Sequence, residues 1–179
     1  MTLDKKYDVC IKEKAKNERY SMQDEKTKLT ITANKPYRVI TVDDCLITAT
    51  GDGDKKCDYL VDVNNESTHF FELKGKEVDA AYKQIISTID CLMNDEQLTS
   101  LVSNRSRVDA YIVSANGIQF PKNVDSQKRI LARKLAARCL TREKDILALV
   151  KHVKTVKKGN LSDANGIITL PSGTLLELK

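Results

Sequence analysis

The chain lacks long apolar runs, paired cysteine motifs and histidine clusters. No stretch approaches the roughly 20 consecutive apolar residues that a membrane-spanning helix needs, and residues 1–7 contain no apolar signal segment. Five cysteines stand at positions 10, 45, 57, 91 and 139 without a Cys-x-x-Cys pair, and His69 is far from His152. These absences argue against a membrane protein and against structural zinc. We expect reduced, mostly buried thiols in a cytoplasmic protein.

Sequence motifs of several other enzyme classes are also missing. The chain contains no Gly-x-Ser-x-Gly, no Gly-x-x-x-x-Gly-Lys loop and no His-Glu-x-x-His. The sequence therefore offers no nucleophile elbow, no phosphate-binding loop of the P-loop type and no zinc-protease helix. Any catalytic activity must therefore depend on residues outside these motifs.

Length and composition indicate one domain. The chain has 179 residues, of which 41% are hydrophobic and 31% charged, enough for a sizeable core. No linker or repeat divides it, so we predict a single domain over residues 1–179. Residues 1–27 are polar and weakly periodic, which favours a short helix or an irregular lead-in.

The hydrophobic pattern predicts an α/β fold with a mixed central β-sheet flanked by helices. Helical periodicity covers residues 77–93, and further helices are expected over about 125–140, where Asp125 gives the start signal, and from Thr141 to Val153. Two apolar segments around Pro171-Ser172-Gly173 predict a C-terminal β-hairpin over about 166–178. Alternation predicts six other strands, over residues 28–32, 38–42, 45–48, 57–63, 68–74 and 107–114.

Positive charge is concentrated in the basic region, about residues 125–158. Eleven lysines and arginines stand between Lys128 and Lys158, against only Glu143 and Asp145. Such a block favours a polyanionic partner. A solvated helix face explains the charge equally well.

The most informative segment is Phe70-Phe71-Glu72-Leu73-Lys74-Gly75. Successive side chains of a strand point to opposite faces, so Glu72 and Lys74 share one face while Phe71 and Leu73 share the other. An acid and a lysine in a core strand are costly to desolvate without a partner or a task. Glu72 and Lys74 are therefore candidate site residues.

Asp58 stands fourteen positions before Glu72, and the sequence Asn64-Asn65-Glu66-Ser67 between them is typical of a turn. Directly opposed residues of an antiparallel pair share a face. A loop with an odd number of residues therefore puts Asp58 on the face of Glu72 and Lys74, whereas an even number puts it on the other face. A metal site on these acids predicts an odd-numbered loop. Asp62 shares the strand face of Asp58 and is the reserve ligand.

Gln84 lies on the predicted helix that follows, about 60° from Ala81 at the edge of the apolar stripe. Its side chain can point along the sheet toward Glu72 and Lys74, or it can be an ordinary glutamine at the boundary between the buried and exposed faces of the helix. A second Glu-x-Lys, Glu177-Leu178-Lys179, also has an acid fourteen residues earlier, but no helix follows it. We interpret that second copy as a chance match.

Asp58, Glu72-Leu73-Lys74 and Gln84, in strand–strand–helix order, resemble the core of the PD-(D/E)XK nuclease superfamily. That group includes restriction endonucleases, Holliday-junction resolvases and repair exonucleases. The resemblance covers about residues 37–115, with Cys57 in place of the motif's proline, a departure common in the group. Many members carry a further acid on the first helix, for which this chain offers Glu13, Glu18 and Glu25.

The resemblance implies a restriction-endonuclease-like core and hydrolysis of DNA by a metal-activated water. Mg²⁺, for which Mn²⁺ can substitute, is then held by Asp58, Glu72 and the Leu73 backbone carbonyl. Lys74 would position or deprotonate the water, and Gln84 would orient water or backbone. RNA as substrate stays open, and so does a homodimer, since such nucleases often pair to cut two strands.

The basic region supplies the expected phosphate contacts, from Lys128, Arg129, Arg133 and Arg138. His69 is expected to face away from Glu72, in a core or surface role, and His152 to be solvated or in contact with phosphate. Two alternatives remain. The chain can be an inactive nuclease-fold protein that binds nucleic acid or a protein, or a structural protein with a basic face.

Overall fold

The strands and helices form two β-sheets and one helical layer. The computed structural model describes residues 3–24, 27–48, 55–74, 78–115, 126–164, 166–171 and 173–179. The sequence-based predictions for Glu25, Gly75 and Asp125 lie outside these residues. The strands are β1 (Ile11–Lys14), β2 (Tyr20–Asp24), β3 (Thr27–Ala33), β4 (Tyr37–Thr41), β5 (Tyr59–Val63), β6 (Ser67–Lys74), β7 (Arg107–Ala115), β8 (Val150–Val156), β9 (Ser162–Ala164), β10 (Ile167–Pro171) and β11 (Leu176–Leu178).

Two α-helices lie within the described residues, α1 (Val78–Asn94) and α2 (Ser126–Ala136). The apolar stripe expected from the sequence is the buried face of α1, which packs on the large sheet. Three short 3₁₀ helices cover Lys5–Cys10, Thr99–Leu101 and Ile146–Leu149. None of the helices in the described ranges is long and apolar enough to cross a membrane.

The large sheet has eight strands in the order β1-β4-β5-β6-β7-β8-β10-β9. Strands β6, β7, β8 and β10 are parallel, whereas β1, β4, β5 and β9 pair antiparallel to their neighbours. The crossovers from β6 to β7 and from β7 to β8 carry α1 and α2. This is the predicted α/β fold with a mixed central sheet.

The two faces of the large sheet are covered differently. One face packs against α1 and α2, while the other packs against a three-stranded sheet with the order β11-β3-β2. Along β6, Phe70 enters the helix-side core, and Phe71 and Leu73 enter the core between the sheets. Strand β6 is buried on both faces from Ser67 to Leu73, although Ser67, Thr68, His69 and Glu72 in that stretch are polar.

Two secondary-structure predictions for the C-terminal third are wrong. Residues 146–149 form a 3₁₀ helix and residues 150–156 form β8, instead of one helix ending at Val153. The β-branched residues of Val-Lys-His-Val-Lys-Thr-Val fit a strand that pairs with both β7 and β10. The C-terminal hairpin does not form, because β10 pairs with β8 and β9 whereas β11 pairs with β3.

The N-terminal region and the thiols also differ from expectation. Residues 5–24 contain a 3₁₀ helix followed by β1 and β2 rather than an irregular lead-in. A disulfide joins Cys10 at the end of that 3₁₀ helix to Cys45, after β4. The expectation of reduced thiols is therefore wrong for this pair, while Cys57, Cys91 and Cys139 are free. A disulfide is typical of an oxidising compartment, so it gives no support to the cytoplasmic placement.

Candidate active site

The β5–β6 turn sets the two acids on one face of the sheet. Three residues, Asn64 to Glu66, connect the strands, and Val63 pairs with Ser67. The same register brings Asp58, the residue just before β5, opposite Glu72. The prediction of an odd-numbered loop is confirmed. Asn64 and Asn65 both have positive φ, at 52° and 56°, which this side chain tolerates better than most.

Asp58 and Glu72 hold each other through the strand backbones. The Asp58 N–H donates to Glu72 Oε2 at 3.1 Å, and the Leu73 N–H donates to Asp58 Oδ2 at 2.7 Å. Lys74 Nζ lies 2.7 Å from Glu72 Oε1, so the acid pair and the lysine form one cluster on the helix-facing side of the sheet. The Leu73 side chain is buried on the opposite face, as alternation requires.

One oxygen of each carboxyl group is left over from these hydrogen bonds. Asp58 Oδ1 has no hydrogen-bond partner among the described residues. Glu72 Oε1 is buried and in ion-pair contact with Lys74, yet it accepts no hydrogen bond of ordinary geometry from any described residue. A buried oxygen with an unused lone pair fits a cation as ligand.

Burial and mutual repulsion shift the titration of both acids. Burial, together with the Asp58 charge, raises the pKa of Glu72 from 4.5 to about 8, although Lys74 acts in the opposite direction. Burial also raises the pKa of Asp58 from 3.8 to about 6, against the Leu73 hydrogen bond and Lys74. Two carboxyl groups with pKa values this far from ordinary are typical of a functional site.

Gln84 acts on the backbone that carries Asp58. Its Nε2 donates to the Lys56 carbonyl at 3.1 Å, and its side chain is buried. One turn further along α1, the Thr88 hydroxyl accepts from the Cys57 N–H at 2.9 Å. The helix thus fixes the two residues before Asp58. The Gln84 amide therefore donates to the backbone before Asp58 and not to Glu72.

The donor set suits a hydrated magnesium ion. Within the described residues no group of three or more histidine, cysteine, aspartate or glutamate side chains is arranged to hold a metal. Mg²⁺ usually keeps several waters and uses one or two carboxylates, so Asp58 and Glu72 are sufficient as its side-chain ligands. The oxygen-only set argues against zinc, which prefers nitrogen and sulfur.

The reserve acid and two of the candidate helix acids lie elsewhere. Asp62 is buried in ion pairs with Arg38 and with Arg105, whose Nη1 is 3.4 Å away, and it is opposite Thr68 at the other end of β5. Glu13 is exposed on β1, beside Arg38. Glu18 is paired with Lys14 at 2.6 Å. None of these three acids joins the Asp58–Glu72 pair.

The structure adds neighbours that the sequence pattern did not reveal. The charges of Asp24 at the end of β2 and Asp43 after β4 are near enough to contribute to the raised pKa of Asp58. Beside Lys74 in the ladder lie Ser114 of β7 and then Lys154 of β8. Ser114 Oγ is buried and has no hydrogen-bond partner among the described residues. Strand register, not sequence spacing, brings these residues near the site.

The four candidate phosphate contacts do not form one patch. Arg129 and Arg133 are exposed on α2, and Lys128 is half-buried. Arg138 lies beyond the end of α2, with Nη1 at 3.4 Å from Met93 Sδ. Because α2 rises 1.5 Å per residue, Lys128 and the helix end are about 12 Å apart. Only the first part of α2 lies at the edge of the sheet where β6 ends.

The two histidines are both buried. His69 lies on the face opposite Glu72, as expected. His152 accepts or donates a hydrogen bond at 2.8 Å with the Tyr82 hydroxyl in the helix-side layer, so the expectation of a solvated side chain is wrong.

Comparison with protein-family models, curated proteins and solved structures gave no match. The assignment of function therefore depends on the geometry of the chain itself.

Proposed function

We propose that this chain is a Mg²⁺-dependent nuclease that hydrolyses phosphodiester bonds of DNA. The observation that carries the proposal is the buried Asp58–Glu72 pair with Lys74 against it, at the end of a central strand. A purely structural ion pair does not need a second acid opposite the first. The strand–strand–helix order and the mixed sheet fit the PD-(D/E)XK resemblance, which supports the same reaction.

Asp58 and Glu72 would hold the cation, since each keeps one carboxyl oxygen that the strand backbones do not use. When bound, Mg²⁺ or Mn²⁺ lowers the pKa of a coordinated water and neutralises charge on the phosphate. The Lys74 ammonium is placed to hold a water against the phosphorus and to stabilise negative charge in the transition state. Gln84 keeps the backbone before Asp58 in place, so the distance between the acids is preserved.

A cleavage assay on mixed single- and double-stranded DNA with Mg²⁺ or Mn²⁺ tests the proposal. We expect cutting by the wild type, and at least a hundredfold loss in Glu72→Gln and Lys74→Ala, since each removes a group that acts on the reacting phosphate. Glu177→Gln is the matched control, because it alters the exposed acid of the other Glu-x-Lys. Equal activity in Glu72→Gln and the wild type would refute the nuclease assignment.

A nuclease-fold protein that binds without cutting is the second candidate. The contact of Lys74 Nζ with Glu72 Oε1 at 2.7 Å favours it, because the ammonium already occupies the side of the carboxylate that a cation would use. Retained DNA binding with no cleavage under either metal would select this candidate. DNA binding that is absent, or that does not weaken with salt, would favour a protein-binding role.

The cytoplasmic location is part of the proposal, because a nuclease placed there has access to intracellular DNA. The disulfide between Cys10 and Cys45 is the observation against it. Trapping of thiols by alkylation in intact cells, followed by mass analysis of the Cys10 peptide, separates a reducing from an oxidising location.

A further inference from the structure

A second polar cluster lies on the opposite face of the large sheet, between the two sheets. Ser67 Oγ is 2.9 Å from His69 Nε2, and His69 Nδ1 is 2.5 Å from Asp109 Oδ1. The three residues are 5%, 1% and 0% exposed. They form a continuous chain from hydroxyl to imidazole to carboxylate. The nuclease proposal does not use any of them.

The sheet itself fixes this arrangement. Ser67 and His69 are two residues apart on β6 and so share a face, and His69 pairs with Asp109 in the parallel register of β6 and β7. The side chains therefore meet in the centre of a sheet rather than on loops. A hydrogen-bond chain held by two central strands keeps its geometry without a further conformational change.

The other carboxylate oxygen of Asp109, Oδ2, is in contact with two positively charged side chains. Arg107 Nε lies 2.8 Å and Lys151 Nζ 3.0 Å from Asp109 Oδ2. Burial raises the pKa of Asp109, but the hydrogen bond with His69 and the charges of Lys151 and Arg107 outweigh it and hold that pKa below its usual range. Asp109 is thus an ionised acceptor, and it orients the N–H at Nδ1 of the ring.

The hydrogen bonds at the two ring nitrogens set the direction of the chain. The ionised Asp109 can only accept, so the proton of the hydrogen bond at Nδ1 belongs to the ring. With its proton on Nδ1, the neutral ring presents Nε2 as an acceptor to the Ser67 hydroxyl. The alternative acceptor for that hydroxyl, the Lys179 carbonyl, is farther away at 3.3 Å. A general base that removes the proton of a serine hydroxyl requires this direction of the hydrogen bonds.

Ser67 opens into a cavity of about 460 Å³, which Ser106, Arg107 and Cys139 also line. Arg107 is the register partner of Ser67 on β7, so its guanidinium is beside the hydroxyl on the same face. Its Nε donates to Asp109, and the rest of the guanidinium is placed to stabilise negative charge in the cavity, which Glu143 also lines. The volume accommodates a small acyl group and its leaving group.

We propose that Ser67 is the nucleophile of a second, acyl-transfer activity toward small activated esters. His69 is the general base, and Asp109 is a positioning residue that acts through His69. Ser67 Oγ attacks the carbonyl carbon while its proton passes to His69 Nε2. The bond from carbon to the leaving oxygen then breaks, and the leaving oxygen takes that proton. Water attacks the acyl-serine in the same way, which releases the acid and restores the hydroxyl.

p-Nitrophenyl acetate is a suitable probe. We expect nitrophenolate release from the wild type, with one acetyl group on the Ser67 peptide as a hydroxylamine-labile ester. Ser67→Ala should lose about a hundredfold in the rate of release. Ser162→Ala is the matched control, because Ser162 is an exposed serine of β9 that lies outside this cavity. It should be acetylated at Ser67 like the wild type.

A folded wild-type protein that gains no ester at Ser67, or gains only hydroxylamine-stable amides on lysines, overturns the proposal even if Ser67→Ala fails to fold. So does wild-type release in a folded Ser67→Ala. For Asp109, Asp109→Asn should lower the pH of half-maximal release, which a lost structural contact alone does not do. Glu72→Gln should keep the acetylation, so this result is independent of the nuclease test.

Discussion

At the scale of single residues, the chain places acids where solvent cannot stabilise their charge. Glu72 is fully buried, and its neighbours Asp58 and Lys74 decide whether it is ionised. The arrangement stores unfavourable electrostatic energy that a divalent cation relieves. Metal binding and protonation therefore compete for the same carboxyl oxygens.

This competition predicts a stability that depends on pH. The pKa of Glu72 is raised on folding from 4.5 to about 8, so the folded state holds its proton more tightly than the unfolded chain. In the metal-free protein Glu72 therefore contributes a few kcal/mol of stability that is fully present below pH 4.5 and is lost as pH rises through about 8. Glu72→Gln should remove most of this loss. Urea unfolding between pH 5 and pH 8.5 measures it.

Metal binding provides the counterpart to that measurement. Mn²⁺ affinity, measured by calorimetry, should rise steeply from pH 6 to pH 8 and be lost in Glu72→Gln. An affinity that stays constant over this range would contradict the raised pKa values of Asp58 and Glu72.

At the scale of elements, each helix and strand has a separable role. Helix α1 fixes the segment before Asp58, and α2 presents its arginines to solvent. The 3₁₀ helix at Lys5–Cys10 is tied to the turn after β4 by the disulfide.

The arginines of α2 predict a graded response to salt. Arg129→Ala and Arg133→Ala should each weaken DNA binding and lower the slope of log affinity against log salt by about one, since each removes one phosphate contact. Lys134→Ala is the control, because Lys134 is already paired with Asp90 on α1. Binding is measured by fluorescence anisotropy in the Glu72→Gln background, where DNA is not cut.

An unchanged slope in both arginine variants would show that α2 is a solvated face only.

The disulfide predicts sensitivity to reducing agents. Cys10 and Cys45 are 35 residues apart, and closing a loop of that length stabilises the folded state by about 4 kcal/mol in the chain-entropy account. Dithiothreitol should therefore lower the melting temperature by roughly 10 °C. Cys10→Ser should melt at the lower temperature and not respond to the reductant. Cys91→Ser, which removes a free thiol, should behave as the wild type.

At the scale of the whole molecule, two sheets and a helical layer enclose two separate cores. The C-terminal strand β11 completes the smaller sheet by pairing with β3. Leu178 is fully buried there, so the last residues of the chain contribute to the core between the sheets.

This position predicts a large effect from a terminal substitution. Leu178→Ala should cost about 2–5 kcal/mol of unfolding free energy, because it opens a cavity between the sheets. Leu140→Ala, at a position that is 68% exposed, should change stability by less than about 0.5 kcal/mol. Thermal or urea denaturation followed by circular dichroism compares the two. Equal stability of both variants would place Leu178 outside the core.

Local signals predicted the parts of this fold that depend on local chemistry. The turn at Asn64-Asn65, the alternation along β6 and the period of α1 are short-range patterns, and together they brought Asp58 to Glu72. The resemblance to nucleases, and the metal site with it, remains a prediction. The sequence gives no sign of the metal's occupancy.

Long-range pairings could not be deduced from the sequence. Pro171-Ser172-Gly173 is a sound turn signal, yet it does not say that Leu176 will pair with Ile31, far away in the chain. The partner of Cys10 is one of four cysteines, and only the fold selects it. His69 finds Asp109 across forty residues through the register of β6 and β7.

Strand β6 carries both proposed chemistries, one on each side of a single backbone. Glu72 and Lys74 face the helices, whereas Ser67 and His69 face the smaller sheet. Insertion or deletion of one amino acid between His69 and Glu72 would move every later side chain of the strand to the opposite face of the sheet. Glu72 and Lys74 would then leave the face of Asp58, so a change of strand length here should damage the nuclease site far more than any conservative replacement.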